Sequence, residues 1–415
     1  MKNGKQIVCL NAIMKNEAHL FRENNSMLDT LVSFIDYWII VDTGSTDNSI
    51  ELVEKFFSKH NIQGEIHKKP FVDFGVSRTH ALKLCQRHKW IDWILVFDVD
   101  DLLIGKPDFS QLDKNVDAYE LDMRDVHGDG KNLGEEDLQN GSMVYKRMCL
   151  FNNNWNWKYN DAIHEWPEAT NKKSKTIKKL ENCYILSRRL GDRSKNVDKF
   201  LRDAKTAERS LANNPNNPRL IFYCARSWFD YRDYEKALYW YRKRLDIDKP
   251  GKYCFLGERF HAGLEIGRCL KNLFYAKKNG VTAQEVVEAF MYAHTILPVR
   301  VEAIYELALF YREQGDFEKG YKWAKKGVTI EKPVGHHDGM FFCVAKNYIF
   351  DIWDELALCA YKLGKVEESR DILKKLLDEK RVSPEQIGRV QWGYNNMCKE
   401  LSPKEFEIVY LNFLN

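Results

Sequence analysis

The sequence contains no apolar stretch approaching the roughly 20 residues needed to cross a bilayer as a helix, so no transmembrane segment is expected. The apolar run at Ile7 to Leu10 is too brief for a secretory segment, and a cytoplasmic protein is the expectation. The ten cysteines are scattered from Cys9 to Cys398, with no C-x-x-C pair and no zinc-like spacing. That excludes a zinc-ribbon reading and leaves reduced, mostly buried thiols. Net charge is scant, +4 over 415 residues, too little for attraction to nucleic acid to dominate, and no nucleic-acid partner is expected. The local run Lys172, Lys173, Lys175, Lys178 and Lys179 reads as a solvated face. A glycine-rich basic loop is also missing from Ala12 to Glu17, which counts against a nucleotidyltransferase.

Apolar residues at 44% and charged residues at 30% give the balance of a globular chain, and the length implies two or three compact units. The first half alternates β-rich runs with helical stretches. Strands are expected at Ile7–Leu10, Trp38–Val41, Ile94–Phe97, Ala118–Leu121 and Met143–Phe151, with a further one at Cys183–Leu186. Helical spacing marks Lys15 to Phe34 and Ser49 to Lys59. The near-continuous apolar runs at Ile39–Val41 and Ile94–Phe97 suit strands covered on both faces, which implies a mostly parallel, Rossmann-like sheet. Beyond the boundary near Arg193–Lys199, strand signals almost vanish and long amphipathic helices take over. Tyr234-Glu235-Lys236-Ala237, Phe317-Glu318-Lys319-Gly320 and Val366-Glu367-Glu368-Ser369 form a recurring pattern, with Gly315 and Gly364 in the turns before the second and third. Their glutamates are 83 and 49 residues apart, roughly two repeat lengths and one for helix-pair arrays. Phe255–Lys278 with Gln284–Ile296 supplies the missing unit. The expectation is an α/β domain over 1–195 and an all-α, tetratricopeptide-like (TPR-like) solenoid of about four degenerate helix pairs over 196–415.

Three segments carry chemistry. Asp42 directly follows a buried strand and precedes Gly44, a position suited to hydrogen-bonding a nucleobase or ribose, since ligands of open α/β sheets bind beyond the carboxyl ends of strands. An ordinary strand-turn-helix junction with Asp47 as helix cap fits the same residues. Asp98-Val99-Asp100-Asp101 ends a second apolar strand, and three carboxylates so close together favour a divalent cation. Such a cation would neutralise a departing diphosphate. Asn160-Asp161-Ala162-Ile163-His164-Glu165 offers two carboxylates and a histidine framed by Trp155, Trp157 and Tyr159. His336-His337-Asp338 reads as a polar connection more readily than as a metal site.

Taken in order, Lys15-Asn16-Glu17, Asp42-Thr43-Gly44-Ser45-Thr46-Asp47, Asp73-Phe74 with Ser77-Arg78, and Asp98-Val99-Asp100-Asp101 resemble the motifs of family 2 glycosyltransferases of the GT-A fold. His80 stands close to where that family usually has asparagine beside the arginine. The resemblance implies a nucleotide-sugar pocket lined by Lys15, Asn16, Glu17, Asp42, Arg78, Asp98, Val99 and Asp101. It also implies a Mn2+ or Mg2+ ion on Asp100 and Asp98, with His164 as a further ligand. The segment around His164-Glu165 resembles the V-H-E segment of glycosyltransferases that carry a repeat domain, including bacterial enzymes that glycosylate peptides. An inverting transfer needs a base, for which Glu165, then Asp161, is the expectation. After Leu186, where related enzymes often have a histidine, this chain has Ser187-Arg188-Arg189. Arg188 or Arg189 is therefore a candidate for binding diphosphate. The expected activity is transfer of a hexose or N-acetylhexosamine from a UDP-sugar to a hydroxyl or thiol of a peptide, protein or glycan. The competing expectation is a TPR-like interaction scaffold with a degenerate transferase domain, and the helical part offers a surface for homo-oligomers.

Overall fold

The computed structural model describes residues 5–23, 25–125, 144–171, 175–188, 190, 198–247, 255–334 and 341–401. The chain divides into two compact units, Met1–Asn214 and Pro215–Asn415. The division falls one helix beyond the 195/196 boundary read from the sequence. No helix among the described residues is long and apolar enough to cross a membrane. The nine described cysteines are free, and seven of them are buried.

The first unit is built on strands β1 (Val8–Met14), β2 (Tyr37–Asp42), β3 (Gly64–Lys68), β4 (Trp93–Val96), β5 (Asp101–Gly105), β6 (Ala118–Asp125), β7 (Val144–Asn152), β8 (Trp157–Asn160), β9 (Trp166–Ala169) and β10 (Ile177–Ser187). Eight of them form one sheet in the order β3-β2-β1-β4-β7-β6-β10-β5, and β8 and β9 pair separately. Alternation of side chains along each central strand sorts them into two cores. Val8, Leu10, Ala12 and Met14 join Trp38, Ile40, Trp93 and Leu95 on one face, packed under helices α1 (Ala18–Phe21), α2 (Met27–Leu31) and α3 (Ser49–Lys59). Cys9 joins Ile39, Val41, Ile94 and Val96 on the other, under α4 (Phe74–Arg87). Double coverage is why the runs read as uninterrupted apolar sequence. Asn11 is the exception, fully buried, and its amide ties the sheet to α4 by donating to the carbonyls of Ile39 (3.2 Å) and Ala81 (3.1 Å).

Two sequence expectations are refined. The sheet is mixed: β3-β2-β1-β4 is a parallel block and β6 pairs parallel with β10, whereas β7 runs antiparallel to both β4 and β6, and β5 antiparallel to β10. β6 and β7 are consecutive in the chain and pair with each other, an arrangement common in antiparallel sheets. The stretch Lys15 to Phe34 is two short helices, α1 and α2, because Ser26 opens a new one. Its hydroxyl accepts from the Asp29 amide and the Asp29 carboxylate accepts from the Ser26 amide, a capping box that fixes a fresh start.

The unit closes with α5 (Lys199–Asn213). The second unit contains, among its described residues, nine helices: α6 (Pro218–Asp230), α7 (Tyr234–Asp246), α8 (Leu256–Tyr275), α9 (Ala283–Ile296), α10 (Glu302–Glu313), α11 (Phe317–Gly327), α12 (Ile352–Lys362), α13 (Val366–Asp378) and α14 (Pro384–Leu401). A π-helical turn, Asn347–Asp351, leads into α12. Each helix packs on the next, giving four pairs and a final helix. The recurring tetrapeptides open α7, α11 and α13, the second helices of their pairs. All four pairs turn alike. A left-handed residue (Arg232, Lys277, Gly315 or Gly364) follows the first helix, and the next amide reaches five residues back, from Asp233 to Trp228, Lys278 to Leu273, Asp316 to Tyr311 and Lys365 to Ala360. That is the Schellman closure of a helix, for which glycine is best suited. Ala237, Gly320 and Ser369, equivalent positions on the second helices, are small because they lie buried where helices approach.

Candidate functional site

The parallel block fixes where a site can form. β2 lies on one side of β1 and β4 on the other, so the chain's direction of winding reverses at β1. In open α/β sheets the crevice beyond the carboxyl ends at such a reversal is where ligands bind. Registers Met14↔Asp42 and Asn11↔Val96 place the ends of β1, β2 and β4 along one edge. Lys15-Asn16-Glu17, Asp42 and Asp98 follow those three ends.

The first two loops are stitched to each other. The Asn16 amide donates to Ser45 Oγ (2.9 Å), Asn16 Oδ1 accepts from the Thr46 amide (2.8 Å), and the Glu17 amide donates to Ser49 Oγ (2.8 Å). Asn16 holds a left-handed backbone, φ 57°, which asparagine tolerates better than most residues. Asp42 is buried and accepts from the amides of Gly44 (3.1 Å) and Ser45 (3.1 Å). It shapes its own turn, and a carboxylate has lone pairs beyond those two bonds. Lys15 is exposed. Asp47 braces the loop pair, accepting from the amides of Ser49 and Ala18. Burial works against its charge, but the bonds from Ser49 and Ala18 prevail and its carboxyl is held below the usual range.

Beyond β4 lies a network of charge. Arg78, buried on α4, donates from Nε to Glu165 Oε1 (2.6 Å) and from Nη2 to Asp98 Oδ1. Arg147, on β7, donates from Nη1 to Asp98 Oδ2 (2.7 Å) and to Asp101 Oδ2 (3.3 Å). Both oxygens of Asp98 are thus held by guanidinium groups. Burial pushes the Asp98 carboxyl up, but Arg147 and Arg78 outweigh it and the group stays well below the usual range. Asp101, almost fully buried, is driven the other way. Desolvation raises it, the charges on Asp98 and Asp100 add to the rise, and Arg147 only partly offsets them. Neighbouring carboxylates pushed in opposite directions are characteristic of sites that handle charge or protons.

The segment Asn160–Glu165 reaches this network because α4 comes unusually near it. A Cβ on Gly75 would sit 2.2 Å from the Asp161 carbonyl oxygen, so no other residue fits without displacing the backbone. Asp73 caps α4 by accepting from the Val76 amide (2.7 Å), and the Phe74 amide donates to the Ala162 carbonyl. Burial, then the nearby Glu165 charge, raises the Asp73 carboxyl. Asp161 and His164 both adopt left-handed backbone, φ 67° and 49°. Two such residues in one short loop mark local strain of the kind that gathers at functional sites. Asp161 Oδ2 accepts from Trp166 Nε1 (3.2 Å), and His164 is exposed.

No protein-family model matches the chain, and no curated protein matches it. Among solved structures it is similar to MamA, at 17% identity over 46% of this chain and 94% of that one, with a TM-score of 0.35. It is similar also to a thermophilic TPR protein in Thermus thermophilus, at 14% identity over 48% of this chain and 91% of that one, TM-score 0.33. MamA from Desulfovibrio magneticus is a third, at 15% identity over 44% and 86%, TM-score 0.33.

The structure separates the sequence-derived candidates. Arg78, Asp98, Asp101 and Glu165 meet in one network. Lys15, Asn16, Glu17 and Asp42 line the same edge; Asn16, the Glu17 amide and Asp42 hold their own loops together, and Lys15 is exposed. Val99 is buried in the core. Arg188 is buried, its Nε donating to the Asp100 carbonyl (3.0 Å) and its Nη1 to Glu23 (2.8 Å), so it fastens the acidic turn in place. Arg189 and His336-His337-Asp338 lie outside the described residues.

For a divalent cation the fit is narrower than the sequence implies. No group of three His, Cys, Asp or Glu side chains among the described residues is arranged to hold a metal ion. Asp98, read from sequence as a ligand, already has its charge compensated by two arginines, and Asp101 is buried against Arg147. His164 is exposed on the Asp161 loop. Asp100, partly exposed in the same turn, remains suited to bind a cation shared with phosphate oxygens, which is how magnesium usually sits in nucleotide sites.

Arg147 was not found from sequence. Its only signal is an arginine within a run otherwise read as an ordinary strand. Arg78 Nη1 and Arg188 Nη2 are both buried and have no hydrogen-bond partner among the described residues.

Proposed function

We propose that the first unit is an inverting glycosyltransferase using a nucleotide diphosphate sugar, with UDP as the nucleotide. The observation that carries this reading is the meeting of Asp98, Arg78, Arg147 and Glu165 just beyond the reversal point of the sheet. Asp42 and the Lys15–Glu17 loop occupy the nucleotide side of the same edge. Among the described residues the buried Arg78 Nη1 has no hydrogen-bond partner, and a diphosphate oxygen matches it in charge and geometry. Asp100 would hold Mn2+ or Mg2+, whose chemistry there is to neutralise the leaving diphosphate.

In the reaction, the oxygen or sulfur of the acceptor attacks the anomeric carbon while the bond to the diphosphate breaks on the opposite face. The acceptor's proton passes to a carboxylate, Glu165 or Asp161. Arg78 fixes Glu165 relative to Asp98, which links the acceptor side to the donor side. The helical unit resembles TPR arrays, and its natural role is to hold a peptide or protein acceptor.

A second reading has a specific observation in its favour. Asp98 is fully charge-compensated by arginines of the chain itself, so the network is stable with no ligand, as expected of a degenerate domain attached to a TPR-like scaffold. UDP-sugar turnover with and without manganese separates the two. An active transferase releases UDP in a manganese-dependent manner, and Asp100→Ala abolishes that dependence. Absence of both turnover and nucleotide binding favours the scaffold.

A further inference from the structure

In the helical unit, Phe341 and Phe342 lie across the first helices of other pairs. The Phe342 ring stacks nearly parallel to Phe222 of α6, 6.4 Å between centroids, and lies 5.0 Å from the His261 ring of α8. Arg226 of α6 sits over its face at 4.4 Å. Phe341 packs edge-on against Phe255, centroids 4.8 Å apart, at the entrance to α8. The main chain is read as well as the rings. Arg300, buried just before α10, donates from Nη1 to the Phe341 carbonyl (2.8 Å) and from Nη2 to the Phe342 carbonyl (3.2 Å). Glu302 holds Arg300 in place (Nη2 to Oε1, 2.6 Å) and accepts from the Val344 amide (3.1 Å).

Rings in apolar contacts and carbonyls taken by a fixed guanidinium are how a groove binds an extended peptide. Two further features set this occupant apart from ordinary core. Phe342 is in the left-handed region, φ 49°, which a bulky residue adopts only where its surroundings impose it. Beside it, buried His261 Nδ1, and one turn further along α8 Glu265 Oε2, have no hydrogen-bond partner among the described residues. Atoms unmet among those residues are ones that a peptide's N–H and C=O groups can satisfy.

We propose that the face made by the first helices of the first three pairs is a binding site for an extended polypeptide with adjacent aromatic residues. Phe341–Phe342 is its internal occupant, which such a partner displaces. This inference is independent of the transferase reading.

The test is fluorescence polarisation of the full chain with a labelled peptide copying residues 338–346, alongside the same peptide with both phenylalanines changed to alanine. Removing the internal competitor in the Phe341→Ala/Phe342→Ala double variant tightens binding of the aromatic peptide at least tenfold over the unaltered chain. The alanine peptide binds neither. Where the double variant lacks a cooperative melt, Phe342→Gly takes its place, since it suits the backbone and removes one ring, with the same expected direction. Equal affinity in variant and unaltered chain, or equal binding of the alanine peptide, overturns the proposal.

Discussion

At the residue scale the central group is Asp98, whose carboxylate is shared between Arg78 and Arg147. A carboxyl held below its ordinary 3.8 contributes stability that is complete above that value and is lost as pH falls through the folded-state value. Asp98→Asn is therefore expected to cost about 2–3 kcal/mol at pH 7, below the roughly 3–5 kcal/mol for breaking a fully buried pair because the Asp98 side chain keeps 26% exposure. The cost shrinks as pH drops below 3.8, because the unaltered chain then loses the same contribution. Urea unfolding of both chains at about pH 7 and about pH 3 checks this, and an equal difference at both pH values contradicts it. Asp98 itself was legible, because an apolar strand ending in carboxylates is a local signal. Its partners were legible only in part. Arg78 was found through a motif, but Arg147 lies 49 residues further on, and no local pattern links a β7 arginine to a β4 carboxylate. Pairing across a sheet is decided by strand order, which the sequence states nowhere.

At the scale of elements, the approach of α4 to the Asp161 loop is the most vulnerable contact. Gly75→Ala forces its new methyl against a backbone oxygen. An overpacking cost of about 1–3 kcal/mol is expected, together with loss of turnover, because α4 carries Arg78. Thermal melts and the UDP-release assay measure the two effects, and a fully active, undestabilised variant counts against the role given to this contact. In the helical unit the four turns allow an opposite prediction. Arg232 occupies with φ 68° the position that glycine fills at Gly315 and Gly364. Arg232→Gly is expected to stabilise the chain by up to about 1–2 kcal/mol by relieving the left-handed backbone, whereas Gly364→Ala destabilises it by a similar amount. Differential scanning calorimetry distinguishes the signs. The helix pairs were visible in the sequence because their turns and capping residues repeat. The break between α1 and α2 was not, since the apolar spacing runs through it and only the Ser26–Asp29 box reveals the stop. The antiparallel half of the sheet was likewise hidden: an alternating or apolar run identifies a strand but carries no mark of its direction.

At the scale of the whole molecule, the chain joins a mixed α/β unit, whose strand order reverses at β1, to an array of helix pairs. Composition had already set expectations, since scattered thiols and a near-neutral charge point away from a zinc ribbon and from a dominant attraction to nucleic acid. What composition could not indicate is that the acidic turn is met by two arginines, Arg78, which is buried, and Arg147, which is partly so. This changes the expected site from a carboxylate cluster around a metal to a charge-balanced cradle, for which the proposed cation ligand is Asp100. The central claim is that this cradle binds a nucleotide diphosphate. Its most direct test is the melting temperature of the full chain with UDP, GDP, CMP and the corresponding nucleotide sugars in the presence of Mn2+. Ligand at a hundred times its dissociation constant stabilises by about 2.7 kcal/mol. The expected result is a clear rise with UDP or a UDP-sugar that is weakened in Asp100→Ala; no rise with any nucleotide contradicts the claim.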